Sequence, residues 1–170
     1  MKSEFKQQIV ELLDRHRIMT IATNRPDGWP QATVVGYANV GLLIYCLIGR
    51  QGQKFSNIAR DPRVSIAISN DYPDPMQIRG LSMAARAAET RDPDEIKRAT
   101  EALFGRYPEY RAMPTPDPGL IAFLRIIPEV VSILDYTRGF AHTDLVRVTE
   151  ADLVEHLETR RHNWLVASTS

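Results

Sequence analysis

Arg50, Gln53 and Lys54 fall within one short stretch, "GRQGQK", between an apolar run and a short amphipathic segment. The run before it, "LLIYCLI" (42–48), reads as a buried strand, and residues 53–60 read as a helix. A helix N-terminus presents unpaired N–H groups and a partial positive charge. Lys54 and Arg50 add full charges there, and Gly49 and Gly52 let a ligand approach the backbone. Those residue types at that place suit an anion, and a phosphate is the natural occupant. The alternative is that Arg50 and Lys54 are solvated charges at a strand end. No GxGxxG follows a strand and no P-loop lysine motif occurs, which disfavours a Rossmann dinucleotide site and a nucleoside triphosphatase.

Other reactive residue types carry less. Cys46 lies mid-strand in "IYCLI" with no activating histidine near in sequence, so it reads as a small buried hydrophobe whose backbone alone faces a ligand. His16, His142, His156 and His162 lack ligand spacing, and no metal site is expected. One histidine can serve haem as an axial ligand, but no sequence feature demands it. Tyr136 and Arg138 sit near the end of the last apolar run, where Arg138 serves either an anion or a turn before Gly139. Trp164 packs on a partner or anchors the chain locally. Asp27 and Asp61 read as turn and cap residues. No nucleophile–base–acid set can be assembled.

Composition sets the frame. The chain has 170 residues, 44% of them apolar, which suits one domain, 1–170. Lys plus Arg equal Asp plus Glu at 21 each, so non-specific nucleic-acid binding is not expected. A lone cysteine permits no intrachain disulfide and fits a reducing compartment. No apolar run reaches the roughly 18 residues of a membrane span, and "MKSEFKQQIVELLDRH" is amphipathic rather than signal-like. These features lead us to expect a soluble cytoplasmic protein that does not associate with membranes.

The elements that position the motif follow from periodicity. A helix is expected over 3–16 with Ser3 as cap, then strands at 17–24, 31–38, 42–48 and 63–69, with "PDG" and "NVG" as turns. Residues 76–90, although alanine-rich, read as a strand because "RDPDE" after them starts a new helix, 93–106. Residues 107–119 read as loop. The run 120–136 gives two strands broken at Pro128, since proline cannot donate to a ladder. A last helix is expected over 149–162, with Thr149 as cap and Asp152 completing a box. The fold class is mainly β with peripheral helices, an antiparallel barrel or curled sheet with core at roughly 15–148, because the connections are too short for repeated crossovers.

The pattern "K..NI..DPRVS" (54–65), the preceding "ATNRPDGWPQ" and the later "R..P..V" within "AFLRIIPEVVSILDYTRGF" resemble the pyridoxamine 5'-phosphate oxidase-like family of FMN-binding split barrels. The resemblance covers roughly residues 15–90 and 119–148. It implies a six-stranded split barrel and a homodimer with FMN between the chains. It further implies that Lys54 and Gln53, beside Arg50, meet the FMN phosphate. Tyr45, Cys46 and Leu47, with Val34 and Val35, would run along the isoalloxazine and ribityl chain, and Arg138 would approach the partner's flavin. The sequence also departs from the true oxidase. "QATVVGYA" has no Lys or Arg where that enzyme carries basic residues, and its C-terminal substrate motif is missing. Oxidation of vitamin B6 is therefore not expected. The resemblance implies a small-molecule FMN oxidoreductase. The alternatives are a non-catalytic flavin carrier or sensor, or a reductase using the deazaflavin F420, whose anionic tail would call on Arg79, Arg86 and Arg138. Substrate choice is expected to lie in the loops 71–80 and 107–119.

Overall fold

The computed structural model describes residues 1–114 and 116–153. Thr115 of the 107–119 loop, the candidates His156, His162 and Trp164, and all but the start of the expected 149–162 helix lie outside them. Among the described residues, α1 (Ser3–Arg15), α2 (Gln53–Arg60) and α3 (Pro93–Arg106) flank one antiparallel sheet. Its eight strands are β1 (Ile18–Asn24), β2 (Pro30–Gly36), β3 (Ala38–Val40), β4 (Leu43–Gly49), β5 (Arg63–Ser69), β6 (Arg79–Glu89), β7 (Ile121–Asp135) and β8 (Thr143–Arg147).

Strand order explains the barrel. The path runs β2-β1-β5-β6-β7-β4-β3, so β2 and β3 lie at its opposite ends. Yet only Tyr37 separates them in sequence. A one-residue link between the two ends of a sheet forces it to curl until they meet. Counting β2–β3 as one kinked strand and setting β8 aside leaves the six barrel strands that were expected. Tyr37 is fully buried at the kink, where its hydroxyl donates to the Leu13 carbonyl at 2.8 Å and so ties α1 to the barrel. Gly36 beside it has no alternative: a Cβ there would stand 2.8 Å from the Tyr107 hydroxyl.

Inside the barrel, alternate residues of each strand form one core that includes Ile21, Ile44, Ile66, Leu81, Leu124 and Ile126. β6 alternates cleanly, with Leu81, Met83, Ala85 and Ala87 inward, as its strand reading requires. β4 is covered on both faces, by this core and by α3, which is why its sequence shows no alternation.

The turn after β3 falls at 41–42 and not over "NVG", whose Asn39 and Val40 are strand. Three further expectations differ from the structure. Pro128 does not break the run 120–136; β7 is continuous. Its first half pairs β4 up to Ile126 and its second half pairs β8 from Val130, so Pro128 sits where the neighbour changes. On the other side β6 shifts register there, Ala84 facing Val130 and Ala85 facing Pro128, which leaves Glu129 as the extra residue of a bulge. The missing N–H therefore costs little. Second, residues 143–147, where no strand is expected, form β8 against the second half of β7. Third, Ser3 is the first residue of α1 rather than its cap; Lys2 holds that place with no side-chain bond. Thr149 does begin a box as expected, its N–H and hydroxyl both donating to Asp152 Oδ2 at 2.7 Å. No described helix is long and apolar enough to cross a membrane.

Candidate functional site

The loop from Gly49 to Gly52 turns β4 into α2. The Arg50 N–H donates to the Leu120 carbonyl at 2.9 Å, and the Gly52 N–H to the Gly49 carbonyl at 3.2 Å. Gly52 is the N-cap and has no side chain with which to answer the first amides of α2. A Cβ at Gly52 would lie 3.3 Å from the Gly49 carbonyl, so the turn is tight as well as open. The helix end expected from sequence is therefore present, uncapped and close to exposed backbone.

Lys54 stands in the first turn of α2, half-buried. Among the described residues it has no carboxylate partner. Burial lowers its ammonium below the ordinary lysine value, and the nearby Cys46 works in the opposite sense. A half-buried cation without a counter-ion is an unfavourable arrangement for an empty surface and a favourable one for an incoming anion.

Gln53 is exposed and donates to Asn57 Oδ1 at 2.8 Å. Asn57 is itself fully buried. Its amide donates to Thr23 Oγ1 at 3.0 Å and to Gln31 Oε1 at 3.1 Å, which fixes α2 against β1 and β2. Sequence reasoning gave Asn57, Thr23 and Gln31 no role, although Asn57 is the asparagine of "K..NI"; a polar residue on the inward face of an amphipathic helix was the available signal.

Arg50 has another engagement. Its guanidinium donates to Glu89 Oε1 at 2.5 Å and to the Pro118 carbonyl at 3.3 Å, and lies 5.7 Å from the centre of the Phe55 ring. The Arg50 contact is the main reason the Glu89 carboxyl is held below its ordinary range. Glu89 thus takes Arg50 away from a phosphate at α2 and was not foreseen.

The residues expected along a flavin divide between faces. Cys46 points into the barrel core, where burial pushes its thiol up to about 12. That agrees with a small hydrophobe and removes the side chain from any ligand. Tyr45 points the other way but is sealed beneath α3. Its hydroxyl donates to Glu95 Oε1 at 3.1 Å, and burial together with that carboxylate pushes the phenol up to about 12. Glu95 also accepts from Thr90 Oγ1 at 2.5 Å and lies 3.6 Å from Arg125. Tyr45 therefore anchors α3 within this chain instead of lining an open face. Leu47 follows on the α3 side, partly exposed. Val35 packs against the core, and Val34, 66% exposed, faces outward from β2. Arg138 lies in the turn after β7, paired with Asp144 at 2.8 Å. One chain thus brings together Gln53 and Lys54, with Arg50 alongside, and leaves Val34 and Arg138 on separate surfaces.

Val34 belongs to a distinctive surface. Register places Val34, Thr20, Ala67, Ser82, Ser132 and Leu145 in one row across β2, β1, β5, β6, β7 and β8. The next row is Ala32, Ala22, Ser65, Ala84, Val130 and Arg147. The outward face of an antiparallel sheet is ordinarily polar. These two rows are small or apolar, with Arg147 at the margin as their sole charge.

A family model described as pyridoxamine 5'-phosphate oxidase matches residues 5–134. The chain belongs to the pyridoxamine 5'-phosphate oxidase family. Solved structures share its fold. A heme-binding protein from Mycobacterium smegmatis superposes on 86% of this chain with a TM-score of 0.72 at 19% identity, and the chain spans 59% of that protein's length. A putative pyridoxamine 5'-phosphate oxidase from Listeria innocua superposes on 77% of this chain and 98% of its own, with a TM-score of 0.64 at 21% identity. A heme storage protein from Vibrio cholerae superposes on 72% of this chain and 89% of its own, with a TM-score of 0.62 at 19% identity. At such identities the likeness is one of fold. No curated protein sequence matches the chain. Family membership accounts for the curled antiparallel sheet and for the position of α2 at the end of β4. The cofactor has to be argued from this chain's own residues.

Proposed function

We propose that this protein is a flavin-dependent oxidoreductase that binds FMN between two copies of the chain, with the FMN phosphate at the mouth of α2. The observation that carries this reading is Lys54: a half-buried ammonium with no carboxylate partner among the described residues, set beside the uncapped amides of a helix. A phosphate ester supplies the missing charge and accepts from those amides. Gln53 is in reach to donate from the same turn. When bound, FMN supplies hydride and electron transfer; the protein's part is to hold the phosphate, orient the ring and exclude water.

The outward rows on β2, β1, β5, β6, β7 and β8 support a second copy as the cover. A broad face of small, uncharged side chains lets two sheets approach closely and leaves room for a flat ring between them. Introducing a charge at its centre tests this. Ser82→Arg should convert a dimer into a monomer in sedimentation experiments, because the guanidinium would be buried unpaired. A dimer that persists in Ser82→Arg removes this face from the interface.

The deazaflavin alternative has less support. Arg79, Arg86 and Arg138, the residues it would draw on, are each paired with a carboxylate: Asp135 at 3.4 Å, Glu129 at 2.6 Å and Asp144 at 2.8 Å. For haem, His16 is buried with Nδ1 2.8 Å from the Leu12 carbonyl, and His142 lies 3.3 Å from Asp144. The His16 Nε2 has no hydrogen-bond partner among the described residues but is buried within the chain, where an iron has no access to it.

Adding FMN to flavin-free protein, followed by NADH or NADPH, tests the reading as a whole. The expected result is saturable binding and bleaching of the flavin absorbance by the nicotinamide. Binding without reduction indicates a carrier or sensor instead, and no binding removes the proposal. Affinity should also depend on pH. The ammonium form of Lys54 binds the phosphate, and its folded pKa lies below 10.5, so FMN affinity should fall as pH rises towards that value from below. Lys54→Arg, whose charge does not titrate in this range, should flatten the decline.

A further inference from the structure

Arg50 also borders a cavity of about 430 Å³ between α3 and the outer surface of β4 and β7. Its size falls in the roughly 300–1,000 Å³ range of small-molecule sites. Leu47 and Phe123 form the sheet side, Ile96 and Phe104 the helix side, and Tyr110 one flank. Neither Lys54 nor Gln53 lines it.

Packing alone does not explain this space. Protein interiors rarely keep gaps larger than a water molecule, because neighbouring elements settle into them. Here α3 is pinned at both ends. Near its start, Glu95 accepts from Tyr45 and Thr90. At its end, Arg106 donates to the Leu13 carbonyl and to Asn39 Oδ1, each at 2.8 Å. The helix is held over the sheet by polar contacts at its two ends, and the apolar space lies beneath its middle.

The polar residues of the lining gather where β6 ends. Arg50 and Arg91 flank Glu89 there, at 2.5 and 3.2 Å, so two guanidinium groups share one carboxylate. Arg50 is further fixed by the Pro118 carbonyl. Arg91 is 81% exposed on its side chain, and an exposed ion pair of that kind contributes little. Arg91 is therefore free to swing to a ligand while Arg50 keeps Glu89 neutralised. The threonine hydroxyl protons are already committed, Thr90 to Glu95 and Thr100 to the Ile96 carbonyl. What remains on offer is a cationic donor at one end of an aromatic-walled chamber.

We infer that this cavity is a second ligand site, separate from the α2 mouth, that takes a one- or two-ring aromatic molecule bearing a single anionic group. The ring lies between Phe104, Phe123 and Tyr110, and the anion meets Arg91. The inference stands whether or not FMN is the cofactor, since no residue of the phosphate cradle takes part.

Fluorescence titration of the full-length, flavin-free protein with anilinonaphthalene sulfonate, a two-ring aromatic carrying one sulfonate, tests it. The expected result is saturable binding of one probe per chain. Thr100→Trp, which fills the chamber from α3, should weaken it by about tenfold or more, and Arg91→Glu by about fivefold or more, as loss and reversal of a charge-assisted contact require. Arg91→Glu changes an exposed side chain, so it reads the site even where Thr100→Trp disturbs the helix. Saturating FMN should leave the titration unchanged. Wild-type affinity in Arg91→Glu, or one-for-one displacement of the probe by FMN, overturns the inference.

Discussion

Replacing Asn57 by leucine is expected to cost roughly 2–5 kcal/mol of unfolding free energy, the largest stability effect anticipated outside the apolar core. Asn57 is 0% exposed, and its side-chain amide joins three elements: Gln53 on its own helix, Thr23 on β1 and Gln31 on β2. Leucine has the same branched arrangement of four side-chain atoms but satisfies none of them. Thr23 is itself buried, so its hydroxyl would be left without its partner in a site water does not reach. A buried polar group stripped of its partner costs about 1–3 kcal/mol, and more than one group is affected. Urea denaturation measures the loss directly. The consequence extends to the site, because the same network sets the angle at which the first turn of α2 meets β1. FMN affinity should fall in Asn57→Leu even under conditions where the protein remains folded. A loss below about 0.5 kcal/mol would mean that the network is incidental.

Reversing the charge at Lys54 should have the largest effect on binding. Lys54→Ala removes a charge-assisted contact worth roughly 1.5–3 kcal/mol, or about ten- to a hundredfold in affinity. Lys54→Glu adds repulsion of the phosphate to that loss and should abolish measurable FMN binding at micromolar protein. Stability should move the other way. The ammonium is half-buried and has no carboxylate partner among the described residues, so the folded protein bears the cost of desolvating it. Lys54→Met, which keeps the aliphatic stem and drops the charge, should melt at the same temperature as the wild type or higher while losing FMN. Such a trade of stability against binding marks a residue kept for its ligand. A Lys54→Met protein that melts lower and binds FMN normally would place Lys54 among the structural residues.

The contrast between these two residues shows what sequence makes legible. Lys54 could be read as a helix-start residue, because a glycine before a short amphipathic segment is a local signal. Asn57 could not, because its meaning lies in Thr23 and Gln31, which are distant in sequence. The same division runs through the fold. α2, α3 and β5 are marked by local periodicity, and their observed limits match the expected ones. A barrel or curled sheet was legible from the strands and their short connections, but which strands meet to close it was not, since the meeting of β2 with β3 is a property of strand order. In "LLIYCLI" the lack of alternation rightly signals burial on both faces. It also erases the parity that would say which residues face the core, so nothing in the pattern checks the resemblance's placing of Cys46 and Tyr45 along one ligand, although they point in opposite directions. Pro128 was read by the general rule for ladders. The exception depends on a change of neighbour from β4 to β8 that no local pattern reveals. Nothing local marks Glu89, and its capture of Arg50 is again a contact between distant positions.

The central claim is that Lys54 binds the phosphate of FMN, as distinct from its ring. Calorimetric titration of wild-type and Lys54→Ala protein with FMN and with riboflavin, which lacks the phosphate, tests it most directly. The account predicts that the wild type prefers FMN by about tenfold or more, and that Lys54→Ala loses most of that preference while its affinity for riboflavin hardly changes. Equal binding of the two flavins by the wild type, or a preference for FMN that survives intact in Lys54→Ala, would contradict it.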